Sequence, residues 1–347
     1  GDPQVYFAVK PHQAESFSRT YQLSEGEEAY EPSIALIDRG RWLAAWEQHG
    51  TVMARVVDAQ GPGPIAPLAT KESRQVTLAS DHRGRIAAVW AREQDNGQRI
   101  EGAELRLENR GLALAEPAVP VAPVGDHPFQ GYPAAAWGAD GQLNLAWEDR
   151  RAGHTRLFQS RRAPGQAFAP ERQLNEHFAP TEDGSETAGL GSGVMRVMLA
   201  ADPAGTLRAV WLDKRNANSG YAVWGAASKD GGRTFGTNHM VQDALGDAVP
   251  QWHAALAGGK IGFVAAWDDT REGWGDTGEP GDVLLSWNTD GTWSPDVVVT
   301  GASGEGYQGS PAIALDPQGD LHLIWIERDD LSSPSRLRYL RATFSGP

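Results

Sequence analysis

Six times along the chain a short apolar run ends in tryptophan and gives way to polar residues. The six are Trp46 (Trp-Leu-Ala-Ala-Trp-Glu), Trp90 (Ile-Ala-Ala-Val-Trp), Trp147 (Leu-Asn-Leu-Ala-Trp-Glu), Trp211 (Leu-Arg-Ala-Val-Trp), Trp267 (Phe-Val-Ala-Ala-Trp-Asp) and Trp325 (Leu-His-Leu-Ile-Trp). They are spaced by 44, 57, 64, 56 and 58 residues, so six units of that size account for the chain. A glycine precedes each run (Gly40, Gly84, Gly141, Gly205, Gly259, Gly319), and Asp38, Asp81, Asp140, Asp202 and Asp316 stand just ahead of five of them. Aspartate caps turn amides and glycine tolerates positive φ, so the pair predicts a tight reversal. Another apolar run lies before each turn, as in Ser33-Ile34-Ala35-Leu36-Ile37. Each unit therefore begins strand, turn, strand.

The second half of the unit is clearest in the fourth copy. Tyr221-Ala222-Val223-Trp224-Gly225-Ala226 predicts a third strand, followed by Ser228-Lys229-Asp230-Gly231-Gly232-Arg233-Thr234-Phe235. That segment fits Ser-x-Asp-x-Gly-x-Thr-Phe/Trp and resembles the Asp-box, or bacterial neuraminidase repeat, of sialidase-like β-propellers. Ser286-Trp287-Asn288-Thr289-Asp290-Gly291-Thr292-Trp293 is a degenerate copy, and the segment from Ser160 to Phe168 keeps only the ends. The resemblance implies an all-β, six-bladed β-propeller of four-stranded antiparallel blades, a single domain over 1–347. Its blades fall near 30–72, 73–124, 131–175, 194–242, 249–300 and 309–347. The last unit has three visible strands, so a strand from 1–24 is expected to complete it, closing the ring and removing an exposed edge.

Charge and composition narrow the function. The formal net charge is −14 and no Lys/Arg-rich run occurs, which excludes a nucleic-acid partner. No apolar stretch is long enough for a transmembrane segment. With no cysteine there are no disulfides, thiolate metal sites or thiol nucleophiles. The chain opens Gly1-Asp2-Pro3, which fits a processed or a trimmed start. The family resemblance implies an extracytoplasmic location, whether secreted, periplasmic or surface-associated.

Strand alternation puts the strand 1–2 turns and the Asp-boxes on one face, and the strand 2–3 loops and blade connections on the other. In sialidases the second face carries the active site. Ser228, Asp230, Gly232, Thr234 and Phe235 are therefore structural, with Asp230 expected to satisfy turn amides. On the other face lie Glu148-Asp149-Arg150-Arg151, Asp213-Lys214-Arg215, Asp268-Asp269-Thr270-Arg271 and Glu327-Arg328-Asp329-Asp330. Because acids and arginines recur there in several blades, the favoured reading is mutual pairing rather than a ligand clamp.

Residues outside the repeat are better ligand candidates. Glu31, Arg74, Tyr132, Arg196 and His253 lie at the starts of inner strands, and Arg196 is a charge within Val194-Met195-Arg196-Val197-Met198. Arg196 reads equally as a carboxylate-binding residue or as a channel residue paired with an acid. The long connection 176–193 carries Asp183, and the loop 268–282 carries Trp274, a candidate sugar-stacking ring. Sialidases use an arginine in Arg-Ile-Pro, two further arginines, a Tyr/Glu nucleophile pair and an aspartic acid. Arg-Ile-Pro is absent here, which argues against a true sialidase, although Arg74, Arg196, Glu31 and Tyr132 or Tyr307 supply matching residue types. A polysaccharide lyase would draw on Tyr132, His127, His253 and Arg196 as base, acid and uronate ligand.

Two function classes follow. One is binding, with or without processing by glycoside hydrolase or lyase chemistry, of an anionic extracellular glycan. The other is a non-catalytic scaffold for another extracytoplasmic protein. No cofactor or metal is expected beyond calcium in an oxygen-rich loop such as 327–330, where the intervening Arg328 opposes it.

Overall fold

Glycine turns and alternating burial generate sheet after sheet along this chain. The computed structural model describes residues 2–11, 14, 16–69, 72–95, 97–123, 129–152, 154–176, 193–215, 221–243, 251–271, 281–330 and 332–344. By Cα proximity the chain divides into two units, residues 1–137 with 165–170, and residues 138–164 with 171–347. The fold is an all-β, six-bladed propeller built from successive antiparallel sheets.

In the first unit, β1 (Tyr6–Val9) and β2 (Arg19–Gln22) form a hairpin. The first blade follows as β3 (Ala29–Asp38), β4 (Arg41–Gln48), β5 (Thr51–Asp58) and β6 (Gly61–Pro67), paired in that order. The second contains β7 (Ser73–Ser80), β8 (Ile86–Gln94), β9 (Gly97–Glu108) and β10 (Gly111–Leu114), with β11 (Val119–Pro120) also on β9. β12 (Gln130–Trp137) opens the third repeat. Leu43, Ala45, Val56, Leu78, Ile86 and Trp90 share one core cluster between the first two blades.

The N-terminal strands differ from expectation. β1 and β2 pair with each other rather than extending the sixth sheet, which has three strands among the described residues. The reason lies in the hairpin's apolar face. Val5, Phe7 and Leu23 are buried with Ala44, Trp46 and Val57 of the first blade, where a sheet–sheet core rewards them more than an edge position would.

The second unit holds β13 (Leu143–Ala152), β14 (His154–Arg162) and β15 (Arg172–Gln173). The fourth blade is β16 (Val194–Ala201), β17 (Leu207–Asp213), β18 (Ala222–Ser228) and β19 (His239–Met240). The fifth is β20 (Gln251–Gly259), β21 (Gly262–Asp269), β22 (Asp282–Asn288) and β23 (Val297–Val298), and the sixth is β24 (Tyr307–Leu315), β25 (Leu321–Arg328) and β26 (Arg336–Ala342). Every repeat tryptophan is buried in its second strand. Four of the aspartates before the glycine turns cap them, as Asp316 Oδ1 accepts the amides of Gln318, Gly319 and Asp320, whereas Asp38 holds the Arg41 guanidinium.

Candidate active site

Five innermost strands are interrupted near where they begin. In β3, β7, β16, β20 and β24 one extra residue interrupts the register, the mark of a β-bulge. Glu31, Gln75, Arg196 and Ser310 there, and Tyr132 near the start of β12, adopt φ of 48°, 56°, 56°, 52° and 48°. That region disfavours residues bearing a Cβ, so the surroundings must hold it in place. Glu31 and Arg196 thus sit on the bulges themselves, Tyr132 takes the same backbone region near the start of β12, Arg74 stands one residue before its bulge, and His253 lies within the bulge of β20.

The acid directly after the tryptophan supplies much of the restraint. Glu47 Oε1 accepts the Gln75 amide at 2.5 Å, and Glu148 Oε1 accepts the Arg196 amide at 2.7 Å. Gln75 Oε1 accepts the Tyr132 amide at 2.8 Å. Glu148 is 3% exposed, and its burial outweighs the Arg196 hydrogen bond and charge, lifting its pKa to about 7.

Asp268, the same acid in the fifth blade, gathers more. Its Oδ1 accepts the His253 amide at 2.7 Å, and its Oδ2 lies 2.6 Å from His253 Nδ1. The Tyr307 hydroxyl donates to the same Oδ2 at 3.4 Å, as does the Ser310 amide. Gly309 makes room, because a Cβ there would sit 2.3 Å from the Tyr307 oxygen. Asp268 is 3% exposed while the His253 side chain remains half open to solvent. Burial first, then the charge and hydrogen bond of Asp268, push the Tyr307 hydroxyl above its ordinary pKa against an opposing bond from Ser310. The arrangement is a buried carboxylate that orients an accessible imidazole beside a protonated phenol.

The repeated arginines are neutralised. In three blades the tryptophan indole donates to an aspartate two residues on, and an arginine pairs with that aspartate: Trp147–Asp149–Arg151, Trp211–Asp213–Arg215 and Trp267–Asp269–Arg271. Arg336 and Arg338 hold Asp329 and Glu327, so guanidinium groups meet these oxygens of the 327–330 loop. No group of three His, Asp or Glu suited to a metal ion occurs among the described residues. Arg74 pairs with Glu93 in a cleft of about 860 Å3 that also exposes Glu27, Glu28, Glu47 and Glu72.

The structure therefore joins His253 with Tyr307, and places Glu31, Arg74 and Tyr132 in the first unit. His127, Asp183 and Trp274 lie outside the described residues. Sequence reasoning missed the roles of Glu148, Asp268 and Gln75. The available signal was the acid one residue after the tryptophan, present in only three of six repeats. Asp230 behaves as a turn cap: its oxygens accept from the Ser228 hydroxyl, the Arg233 and Thr234 amides and the Thr234 hydroxyl. Ser228 in turn accepts the Gly232 amide, and Phe235 is half-buried.

No family model matches the sequence, and no curated protein matches it. Solved structures do. An α-L-arabinofuranosidase of Fusarium graminearum, in complex with arabinobiose, aligns at TM-score 0.55 and 13% identity over 90% of this chain and 93% of its own. An α-L-arabinanase of Penicillium chrysogenum aligns at 0.55 and 11%, over 90% and 93%. A Hadza microbial sialidase aligns at 0.53 and 13%, over 94% and 72%. The chain thus has a propeller fold resembling those of glycoside hydrolases, at identities that speak for fold alone.

Proposed function

We propose that this protein is an extracytoplasmic Asp-box propeller that binds and processes a glycan, with His253, Asp268 and Tyr307 as its acid–base centre. One observation carries the reading: a buried carboxylate oxygen serves both the His253 Nδ1 and the Tyr307 hydroxyl. A proton on Nδ1 that is donated to Asp268 leaves Nε2 as the base. Asp268 then stabilises the imidazolium formed when Nε2 takes a proton from water or from a sugar. Tyr307, kept protonated by its burial, would turn its single O–H from Asp268 to an oxygen of the substrate. The half-buried Arg196 is the candidate for an anionic substituent. The likeness to arabinan-active enzymes and sialidases supports carbohydrate as the substrate class.

The experiment is a panel of arabinans, sialosides and uronate polymers assayed with the wild type, Asp268→Asn and His253→Ala. Turnover by the wild type that falls at least about a hundredfold in both variants, with unchanged circular dichroism, is the expected result. The neutralised Asp–Arg pairs favour a second reading, a non-catalytic docking scaffold. Silence across the panel together with saturable binding of an extracytoplasmic protein would establish it instead.

A further inference from the structure

Two neighbouring blades are tied by acids that exchange backbone amides. The Asp243 amide donates to Asp296 Oδ1 at 3.1 Å, and the Asp296 amide donates to Asp243 Oδ2 at 3.0 Å. Asp243 follows β19 and Asp296 stands immediately before β23, so the pair joins the fourth blade to the fifth. Arg271, just past the end of β21, meets both carboxylates. Its Nη2 lies 2.9 Å from Asp296 Oδ2, and its Nη1 lies 3.9 Å from Asp243 Oδ1. The same Nη2 lies 2.7 Å from Asp269 Oδ2. Among the described residues, the charged groups facing Asp296 are therefore Asp243 and Arg271, with Asp269 behind the guanidinium.

Between the third and fourth blades the same arrangement is built with an amide. The Glu176 amide donates to Asn238 Oδ1 at 2.7 Å, and the Asn238 amide donates to Glu176 Oε1 at 3.0 Å. Arg215 Nη2 lies 2.8 Å from Asp213 Oδ2 and 3.5 Å from Asn238 Oδ1, and its Nη1 lies 3.9 Å from Glu176 Oε2. Asn238 takes the place of Asp296, immediately before the outer strand. The Arg215 staple thus sets two carboxylates around its guanidinium, and the Arg271 staple sets three. A proton on Asp296 makes the two equal in charge. The Asp296 side chain is 5% exposed, where an extra negative charge is costly. Burial first, then its side-chain hydrogen bond with Asp243, lift its pKa to about 6 against the Asp243 amide and Arg271. Asp243 moves the other way, held below its ordinary value first by the Asp296 amide.

We propose that Asp243 and Asp296 form a carboxylic acid–carboxylate pair holding one proton, and that this clasp is a pH-sensitive lock between the fourth and fifth blades. Loss of the proton sets two carboxylates against each other over a guanidinium that Asp269 already engages. Asp243, whose side chain is 46% exposed, then turns out to water, and the Asp296 amide loses its acceptor. The contribution of the proton is present in full below the ordinary value of 3.8 and is lost as the pH rises through about 6. The Arg215 staple, with neutral Asn238 in the same place, stays closed across that rise.

Amide hydrogen exchange on the full chain, read residue by residue at pH 5 and 8 and corrected for the intrinsic effect of pH, tests the lock. Protection of the Asp243 and Asp296 amides is expected to fall about tenfold, while that of Glu176 and Asn238 holds. Asp296→Asn, which copies the other staple, should keep its protection at both pH values. Asn238→Asp should transfer the pH dependence to the Glu176 amide. Circular dichroism checks the folding of both variants, and should Asn238→Asp fail to fold, the wild type and Asp296→Asn decide alone. The proposal is overturned if the two wild-type staples respond alike, if Asp296→Asn keeps the wild-type pH dependence, or if folded Asn238→Asp gains none.

Discussion

The Arg196 amide donates to Glu148 Oε1 at 2.7 Å, and through that bond a buried acid holds an arginine at φ 56°. The acid following a repeat tryptophan thus shapes the start of the next blade's inner strand. The same relation links Glu47 to Gln75 and Asp268 to Ser310.

Glu148 should make stability fall as pH rises. Its folded pKa of about 7 lies above the ordinary value of 4.5, so between those values the native state keeps a proton that the unfolded chain releases. This contribution is present in full below about 4.5 and lost as pH passes through 7. Urea denaturation at pH 5 and 8 should show the drop, up to about 3 kcal/mol from this group. Glu148→Gln, which keeps an acceptor for the Arg196 amide, should flatten it.

Arg196→Gly separates a binding role from a structural one. Glycine accepts φ 56° without a Cβ clash, although it loses more backbone entropy on folding, so stability should shift by less than about 1 kcal/mol. Glycan affinity should fall at the same time. Thermal denaturation and a binding isotherm on the same variant are the two readouts.

Asp230→Ala removes an acceptor that four hydrogen bonds share. A loss of about 1–3 kcal/mol is expected at pH 7, with glycan turnover unchanged. Burial raises the Asp230 pKa, but the bonds from Thr234, Ser228 and Arg233 together pull it well below the carboxylate range. Its contribution is therefore present above about pH 4 and lost as the pH falls further. The acid limb of the wild-type stability curve should be shallower in the variant.

Gly258→Ala tests the packing of blade against blade. A Cβ there would sit 2.4 Å from the Ala201 carbonyl, a backbone atom with no rotamer through which to retreat. A cost of about 2 kcal/mol or more is expected in chemical denaturation.

Much of the fold was legible because it depends on neighbours in the chain. Four of the aspartates before glycine turns cap amides two to four residues away, as Asp202 does for Thr206, and alternation within a strand chooses its buried face. Segments 5–9 and 18–23 suit any open sheet edge, so nothing local assigns the N-terminal hairpin to one sheet. What decided was the apolar surface around Trp46. His253 and Tyr307 could each be nominated from the sequence. Nothing local joined them, since they stand far apart in the chain and meet only through Asp268.

The sequence by itself determined the repeat, its six tryptophan-bearing strands and the turn chemistry between them, because such features arise from contacts spanning a few residues. Tertiary structure decided which of many acids and arginines remain chemically available. Ion pairing cancels Arg151, Arg215 and Arg271 against their aspartates, whereas folding buries Asp268 beneath His253. Charge in a protein is settled by three-dimensional proximity and loss of solvent, and neither is written in the order of residues.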